Sequence, residues 1–322
     1  MIIESEFKAP AWMKNQHLQT ILPRLFMGTK NLPISWQEFA TEDEDFVELA
    51  WMPEIEHCKG LVVLFHGLEG SVDSHYASDF MHFLHKNRWR SVMMHFRGCG
   101  RKANRTERSY HSGDTADAKN VLAHIRSLYP NIPIMGLGFS LGANMLLKLL
   151  GEEPKQTWLN KATAISPPFK LGECSESIGQ GFSKIYQSHL VRSMKQRFLV
   201  KSQQHDYASS LGLTKEKLQS LSTFYEFDDA ITAPLHGFEG ADDYYNRCSA
   251  IGYLSNIETE TLILHAKDDP FMHPDITPTE SELSTSVTLE LSEKGGHVGF
   301  VQGNIFAMDK WLHKRVLQFF EQ

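Results

Sequence analysis

Gly138-Phe139-Ser140-Leu141-Gly142 sets a serine between glycines placed two residues to either side, after an apolar strand-like run (132–137) and before a run, 144–150, that is apolar nearly all round. Strand, tight turn and helix are the context in which G-x-S-x-G forms a nucleophile elbow, with the serine held on a strained turn and projecting into a cleft. The glycines let the flanking chains approach where a Cβ would clash. The plainer reading, a glycine-rich turn with a buried serine, does not account for the strand before it and the helix after it.

A serine hydroxyl is a weak nucleophile near neutral pH and needs a base, which in turn needs an orienting acid. In chain order Ser, Asp, His, both follow. The β-type run 261–266 ends in Lys267-Asp268-Asp269-Pro270, which puts carboxylates at the carboxyl end of a strand. Asp269 precedes a proline and lies one residue further into the loop, where it could turn toward a histidine. It is favoured over Asp268, which would then be a turn or cap residue. The alternating run 287–291 leads into Glu293-Lys294-Gly295-Gly296-His297, a glycine-flanked histidine just before the last helix. His297 would take the serine proton while its other ring nitrogen donates to the aspartate.

The tetrahedral intermediate of acyl transfer also needs amide donors for its oxyanion. The strongest strand signal, 60–65, runs into His66-Gly67-Leu68-Glu69-Gly70. A turn after this strand supplies one N–H and the residue after the nucleophile the other. The hole is therefore assigned to Leu68 and Leu141. His66, a single histidine before a glycine turn, is read as shaping the loop.

The elements that must position these groups alternate strand and helix, as in a mostly parallel sheet covered on both faces. Early strands are expected over 34–39 and 46–51, then 60–65, 91–96 and 161–166. An amphipathic helix is expected over 114–129, with Asp114 as N-cap and Ala118, Val121, Leu122, Ile125 and Leu128 as its stripe. The last helix is expected to carry Ile305, Met308, Leu312, Val316 and Phe319. Residues 169–256 break the alternation and read as a helical cap, leaving 1–168 and 257–322 as the core. In the cap Phe182, Ile185, Tyr186, His189, Leu190 and Met194 recur at helical spacing, opposite Lys184, Arg192 and Lys195. Such a cap would lie over Ser140, exclude water and select the substrate.

With 322 residues, 41% hydrophobic and 22% charged, the chain can bury a large core. A net charge of −7 without a basic stripe argues against nucleic acid as partner. Cys58, Cys99, Cys174 and Cys248 are too scattered for a zinc pair or a disulfide framework. His111 and Asp114 lack a third ligand at metal-binding spacing. The first residues do not read as a signal peptide, and no apolar run approaches membrane-span length. The expectation is a soluble cytoplasmic protein with no metal or organic cofactor and no stable membrane insertion.

Further segments stand outside these groups: Asn15-Gln16-His17-Leu18-Gln19-Thr20, Phe96-Arg97-Gly98-Cys99, Tyr110-His111-Ser112-Gly113, Glu226-Phe227-Asp228-Asp229 and Asp243-Tyr244-Tyr245. Arg97 is read as pairing with a carboxylate such as Asp114 or Asp228, and the segment 15–20 as an arm folded back over the core. On these segments and the elbow, acid turn and histidine loop, the chain resembles the YheT-like α/β-hydrolases over nearly its whole length. That group includes bacterial hydrolases and eukaryotic relatives acting on acylglycerols and phospholipids. The resemblance implies an α/β-hydrolase fold, carboxylic-ester hydrolysis and charge-relay residues at the three sites named. The expected activity is that of a serine esterase with Ser140, Asp269 and His297, acting on a small-molecule ester or a lipid. The same triad could serve an acyltransferase, or a lipase on membrane-derived acylglycerols or phospholipids. Serine at the elbow argues against epoxide hydrolases and dehalogenases, which use aspartate there.

Overall fold

The computed structural model describes residues 1–26, 28–304 and 307–322. Nine strands form one sheet: β1 (Ile2–Glu4), β2 (Ser35–Ala40), β3 (Phe46–Trp51), β4 (Gly60–Phe65), β5 (Trp89–His95), β6 (Ile134–Phe139), β7 (Lys161–Ile165), β8 (Glu260–Ala266) and β9 (Val287–Ser292). Their order is β1-β9-β8-β7-β6-β4-β5-β3-β2. Pairing is parallel from β1 across to β5, while β3 pairs antiparallel with both β5 and β2.

Central strands read as continuous apolar runs because both faces are covered. Successive side chains point to opposite faces, and two cores follow from that alternation. Leu61, Val63 and Phe65 pack on one face with helices α3 (Ala116–Leu128) and α4 (Leu141–Glu152). Val62, Leu64, Leu137 and Phe139 pack on the other with α2 (His75–Lys86) and the final helix Trp311–Glu321. Two glycines of β6 make room for the chain that follows, Gly138 for α4 and Gly136 for Leu159 beyond it. A Cβ on Gly136 would come within 2.8 Å of Leu159, and one on Gly138 within 2.6 Å of the Ala143 backbone.

Between β7 and β8 the described elements are helical, including α5 (Leu171–Ser177), α6 (Lys184–Lys201) and the helix Ala241–Cys248. They carry small cores of their own, one around Phe198, Tyr207, Leu218 and Phe227, another around Leu171, Ala241, Tyr244 and Cys248. Ala250, Leu254 and Ile257 instead join the cluster that contains α4. Three of the segments singled out in the sequence meet here. Tyr245 Oη donates to Asp228 Oδ2 at 2.8 Å, and Ser112 N to Tyr244 Oη at 3.0 Å. A Cβ on Gly113 would meet Cys248 Sγ at 2.5 Å.

Several expectations are corrected. Arg97 pairs with neither Asp114 nor Asp228. Its buried guanidinium binds Asp117 (2.7 Å), Asp43 (2.6 Å) and Asp45 (3.2 Å), and hydrogen bonding to it holds the Asp43 carboxyl well below the usual carboxylate range. Asp114 is not the cap of α3, which Thr115 precedes. It is buried against Arg108, and burial pushes its carboxyl up to about 6. The final helix begins at Trp311. Met308 lies in an antiparallel hairpin of 301–304 with 307–310, and Ile305 lies outside the described residues. Phe182 and Ile185 are 51% and 59% exposed, while Tyr186, His189, Leu190 and Met194 face a cavity. Residues 15–20 belong largely to a helix, α1 (Gln16–Phe26). The four cysteines are unpaired. No helix among the described residues is long and apolar enough to cross a membrane.

Candidate active site

Strand register brings four loops to one edge. Phe65 pairs with Gly138, Phe139 with Ile165, Ile165 with Leu264, and Ala266 with Ser292. The loops after β4, β6, β8 and β9 therefore leave together from the carboxyl end of the parallel sheet, where open α/β sheets bind ligands. Those loops carry Leu68, Ser140, Asp269 and His297.

Ser140 occupies φ 50°, ψ −116°, a conformation that L side chains rarely adopt. Its amide donates to Ile165 O at 2.8 Å, and its carbonyl accepts from Ala143 and Asn144, both at 3.0 Å. The elbow thus ties β6 to β7 and starts α4. Glycine at 142 is required, since a Cβ there would lie 2.4 Å from Phe65 O and 2.5 Å from His66 O.

Asp269 and His297 are brought together. Nδ1 of His297 is 2.7 Å from Asp269 Oδ2, and the acid is 1% exposed at its side chain. Asp269 Oδ1 accepts from Phe271 N at 2.9 Å, and the Phe271 ring stacks on the imidazole at 4.0 Å. Asp268 is engaged elsewhere, accepting from Gly296 N at 3.0 Å. The imidazole and Ser140 line the same cavity of about 720 Å³. Ser140 Oγ has no hydrogen-bond partner among the described residues, His297 included; catalytic hydrogen bonds often tighten only once substrate is bound.

The histidine loop is strained and held from outside. Val298 has φ 55°, unusual for a β-branched residue, and its amide donates to Ser166 Oγ at 3.1 Å. Helix α1 lies directly on the loop. His297 N donates to Thr20 Oγ1 at 3.0 Å, and a Cβ on Gly299 would come within 2.3 Å of Gln19 O. Gln19, fully buried, accepts from Val301 N (2.8 Å) and donates to Val301 O and Met13 O (both 3.1 Å). Sequence reasoning missed Thr20, Gln19, Ser166 and Phe271. The segment 15–20 stands out in the sequence, but reads there only as an arm.

The turn after β4 is arranged around one amide. Gly67 N donates to Tyr76 Oη and Glu69 N to Tyr110 Oη, both at 2.9 Å. The Leu68 N–H between them has no protein acceptor among the described residues. Neither does the Leu141 N–H, which opens a helix whose first amides lack intrahelical partners. Both residues line the cavity. His66 shapes this loop as expected: Nε2 accepts from Phe96 N at 3.1 Å, and Nδ1 lies 2.7 Å from Gly67 O, which makes Nδ1 the protonated nitrogen. Burial pushes its pKa down to about 3, so it stays neutral.

The cavity runs from these groups along α6, with Tyr186, Leu190, Met194, Phe271, Ile178 and Leu171 among its apolar walls. Among the described residues no three His, Cys, Asp or Glu side chains gather as a metal-ligand set.

Residues 60–304 match the model of the alpha/beta hydrolase fold. The chain is 41% identical over 314 residues to "Putative esterase YheT" of Escherichia coli (strain K12), covering 97% of this chain and 92% of that one. It is 26% identical to "Phospholipase ABHD3" of Mus musculus, covering 94% and 75%. Among solved structures, the esterase Pf2001 of Pyrococcus furiosus superposes with a TM-score of 0.58 at 16% identity, covering 99% and 98%. Sheet order, elbow geometry and these likenesses agree: the chain belongs to the α/β hydrolase family, in the group that contains YheT.

Proposed function

We propose that the protein hydrolyses carboxylic esters through an acyl-enzyme. Ser140 Oγ attacks the ester carbonyl carbon while His297 Nε2 takes its proton. Asp269 keeps the Nδ1–H tautomer and stabilises the imidazolium. The carbonyl oxygen, now negative, is held by the Leu68 and Leu141 amides. Collapse breaks the bond to the alkoxy oxygen, which leaves with the proton from His297. Water then attacks the acyl carbon by the same route, releasing the acid and regenerating Ser140.

The observation that carries this reading is the 2.7 Å contact between His297 Nδ1 and a buried Asp269, on an imidazole that shares its cavity with a serine at a strained elbow. The esterase and phospholipase names of the relatives agree with ester cleavage. The helices of 169–256 are read as the cap, whose α6 side chains wall the cavity and would contact the acyl or alcohol group.

The test is Ser140→Ala. It should abolish hydrolysis of p-nitrophenyl esters and covalent labelling by a fluorophosphonate, with the fold retained by circular dichroism. Labelling that persists in this variant would place the nucleophile elsewhere. A screen from acetate to long-chain acylglycerols then measures which acyl lengths the cavity accepts.

A further inference from the structure

Glu69 follows the proposed oxyanion donor Leu68 and sits at φ 56°, in the left-handed region that favours glycine. Nothing about that backbone calls for a glutamate. Its side chain does: the carboxylate is only 7% exposed and reaches across to α6. Arg197 Nε donates to both carboxylate oxygens, at 3.1 and 2.9 Å, and Ser193 Oγ to Oε2 at 3.0 Å. Ser193 and Arg197 stand four residues apart on α6 and so share a face. Arg197 also donates to the Gly98 carbonyl. Tyr110 closes the arrangement, its hydroxyl accepting from Glu69 N and donating to Glu69 Oε1, both at 2.9 Å.

We propose that Glu69, Arg197 and Ser193 form a latch by which α6 orients the Leu68 N–H, making the oxyanion hole depend on the seating of that helix. The latch touches no reacting atom, so its members are positioning residues. A donor aimed at developing charge is effective only when held in place beforehand. The two tyrosine hydroxyls fix the amides on either side of Leu68, and the latch fixes Tyr110 and the loop to α6. The proposal rests on the reading of Leu68 as an oxyanion donor.

The experiment compares Glu69→Gln, Arg197→Ala and Arg197→Lys with the wild type and Ser140→Ala. It measures kcat and KM on p-nitrophenyl butyrate, the rate of fluorophosphonate labelling, and thermal melting. Glu69→Gln and Arg197→Ala should lower kcat by about 10- to 100-fold, because phosphonylation and acylation both load the hole. The labelling rate should fall in parallel. KM should stay within about threefold, as expected when a transition-state interaction is lost. Arg197→Lys keeps the cation and should recover part of kcat. A purely structural ion pair would lower the melting temperature and leave kcat of the folded protein unchanged. If Glu69→Gln and Arg197→Ala do not stay folded at the assay temperature, Arg197→Lys decides, with a kcat loss above about threefold at constant KM expected. Wild-type kcat in folded variants, or a loss confined to KM, overturns the latch. An inactive Ser140→Ala beside a fully active Glu69→Gln would sink the latch alone, whereas an active, labelled Ser140→Ala would remove the reading beneath it.

Discussion

Replacing Asp269 by asparagine changes almost nothing in volume and removes one acceptor from a site that needs two. Oδ1 accepts from Phe271 N at 2.9 Å and Oδ2 from His297 Nδ1 at 2.7 Å. An amide has one carbonyl oxygen. If it faces Phe271 N, its NH2 faces the imidazole and forces Nδ1 to accept. The ring proton then sits on Nε2, where it blocks proton abstraction from Ser140. If the amide turns the other way, two N–H groups oppose each other at Phe271, and the loop that carries the aromatic stacked on His297 is stressed. The wrong tautomer costs about 10⁴ in kcat in a charge-relay triad, roughly 5 kcal/mol of barrier. The lost charged hydrogen bond costs about 1.5–3 kcal/mol of stability. Asp268→Asn is the matched control. Its Oδ1 bond to Gly296 N survives through an amide oxygen, and its cationic neighbour Lys294 is half exposed at 3.7 Å. Kinetics on a p-nitrophenyl ester should show Asp268→Asn within about tenfold of wild type, since the amide keeps the bond to Gly296 N and a long ion pair to a half-exposed lysine contributes little. A larger loss in Asp268→Asn than in Asp269→Asn would refute the assignment of the acid.

Gly142→Ala tests the elbow's packing: alanine gains helix propensity in α4, but a Cβ 2.4 Å from Phe65 O should dominate and destabilise the protein by about 1–3 kcal/mol. Thermal melting at wild-type temperature would contradict that. Gln19→Leu leaves the two Val301 backbone groups and Met13 O without their partner and should cost about 3 kcal/mol or more in urea unfolding, with lower kcat because His297 follows α1. Acid should unfold the protein through its buried histidines. Burial holds His66 down to about 3 and His95 and His265 down to about 4. Their folded pKa values lie below the unfolded 6.5, so the unfolded chain binds more protons between those limits. Stability is full above about pH 6.5 and falls as pH drops toward 4, at about 1.4 kcal/mol per pH unit for each histidine. A denaturation midpoint that stays constant from pH 7 to 4.5 would contradict this sign.

Much of the core was legible because its signals are local. The expected strands at 46–51 and 60–65 have the bounds the structure shows, and the elbow at 138–142 stands between a strand and a helix. Apolar runs bounded by turns report a buried parallel sheet without any knowledge of partners. What escaped depends on partners. Arg97 needs a carboxylate, but selecting Asp43 and Asp45 over Asp114 requires knowing that the turn after β2 reaches the loop after β5, and selecting Asp117 that the first turn of α3 faces that loop. The three-residue β1 is a strand only because β9 is beside it. Met308 keeps helical spacing with Leu312, yet it stands in a hairpin strand. Spacing alone cannot separate a helix from a strand that leads into one.

The same division explains how the candidate site is built. The parallel sheet places four loops at one edge, and that much follows from strand register. Aim comes from groups on other elements, most of them distant in sequence: Tyr76 and Tyr110 on the amides beside Leu68, Thr20 and Ser166 on the backbone at His297 and Val298, Phe271 on the imidazole face. Each of these binds a segment that carries a proposed reacting group, and the hydroxyls among them satisfy a backbone N–H that would otherwise be free to turn. Preorganised donors lower a barrier because no reorganisation is needed when charge appears. Disturbing these contacts should therefore lower kcat more than it raises KM. The cost is visible in the backbone, where Glu69, Ser140 and Val298 on the cavity wall, and Ser166 bound to Val298, all hold positive φ. Strain of that kind persists only where surrounding contacts over-determine it, and here the contacts that do so are the ones that would aim the proposed chemistry.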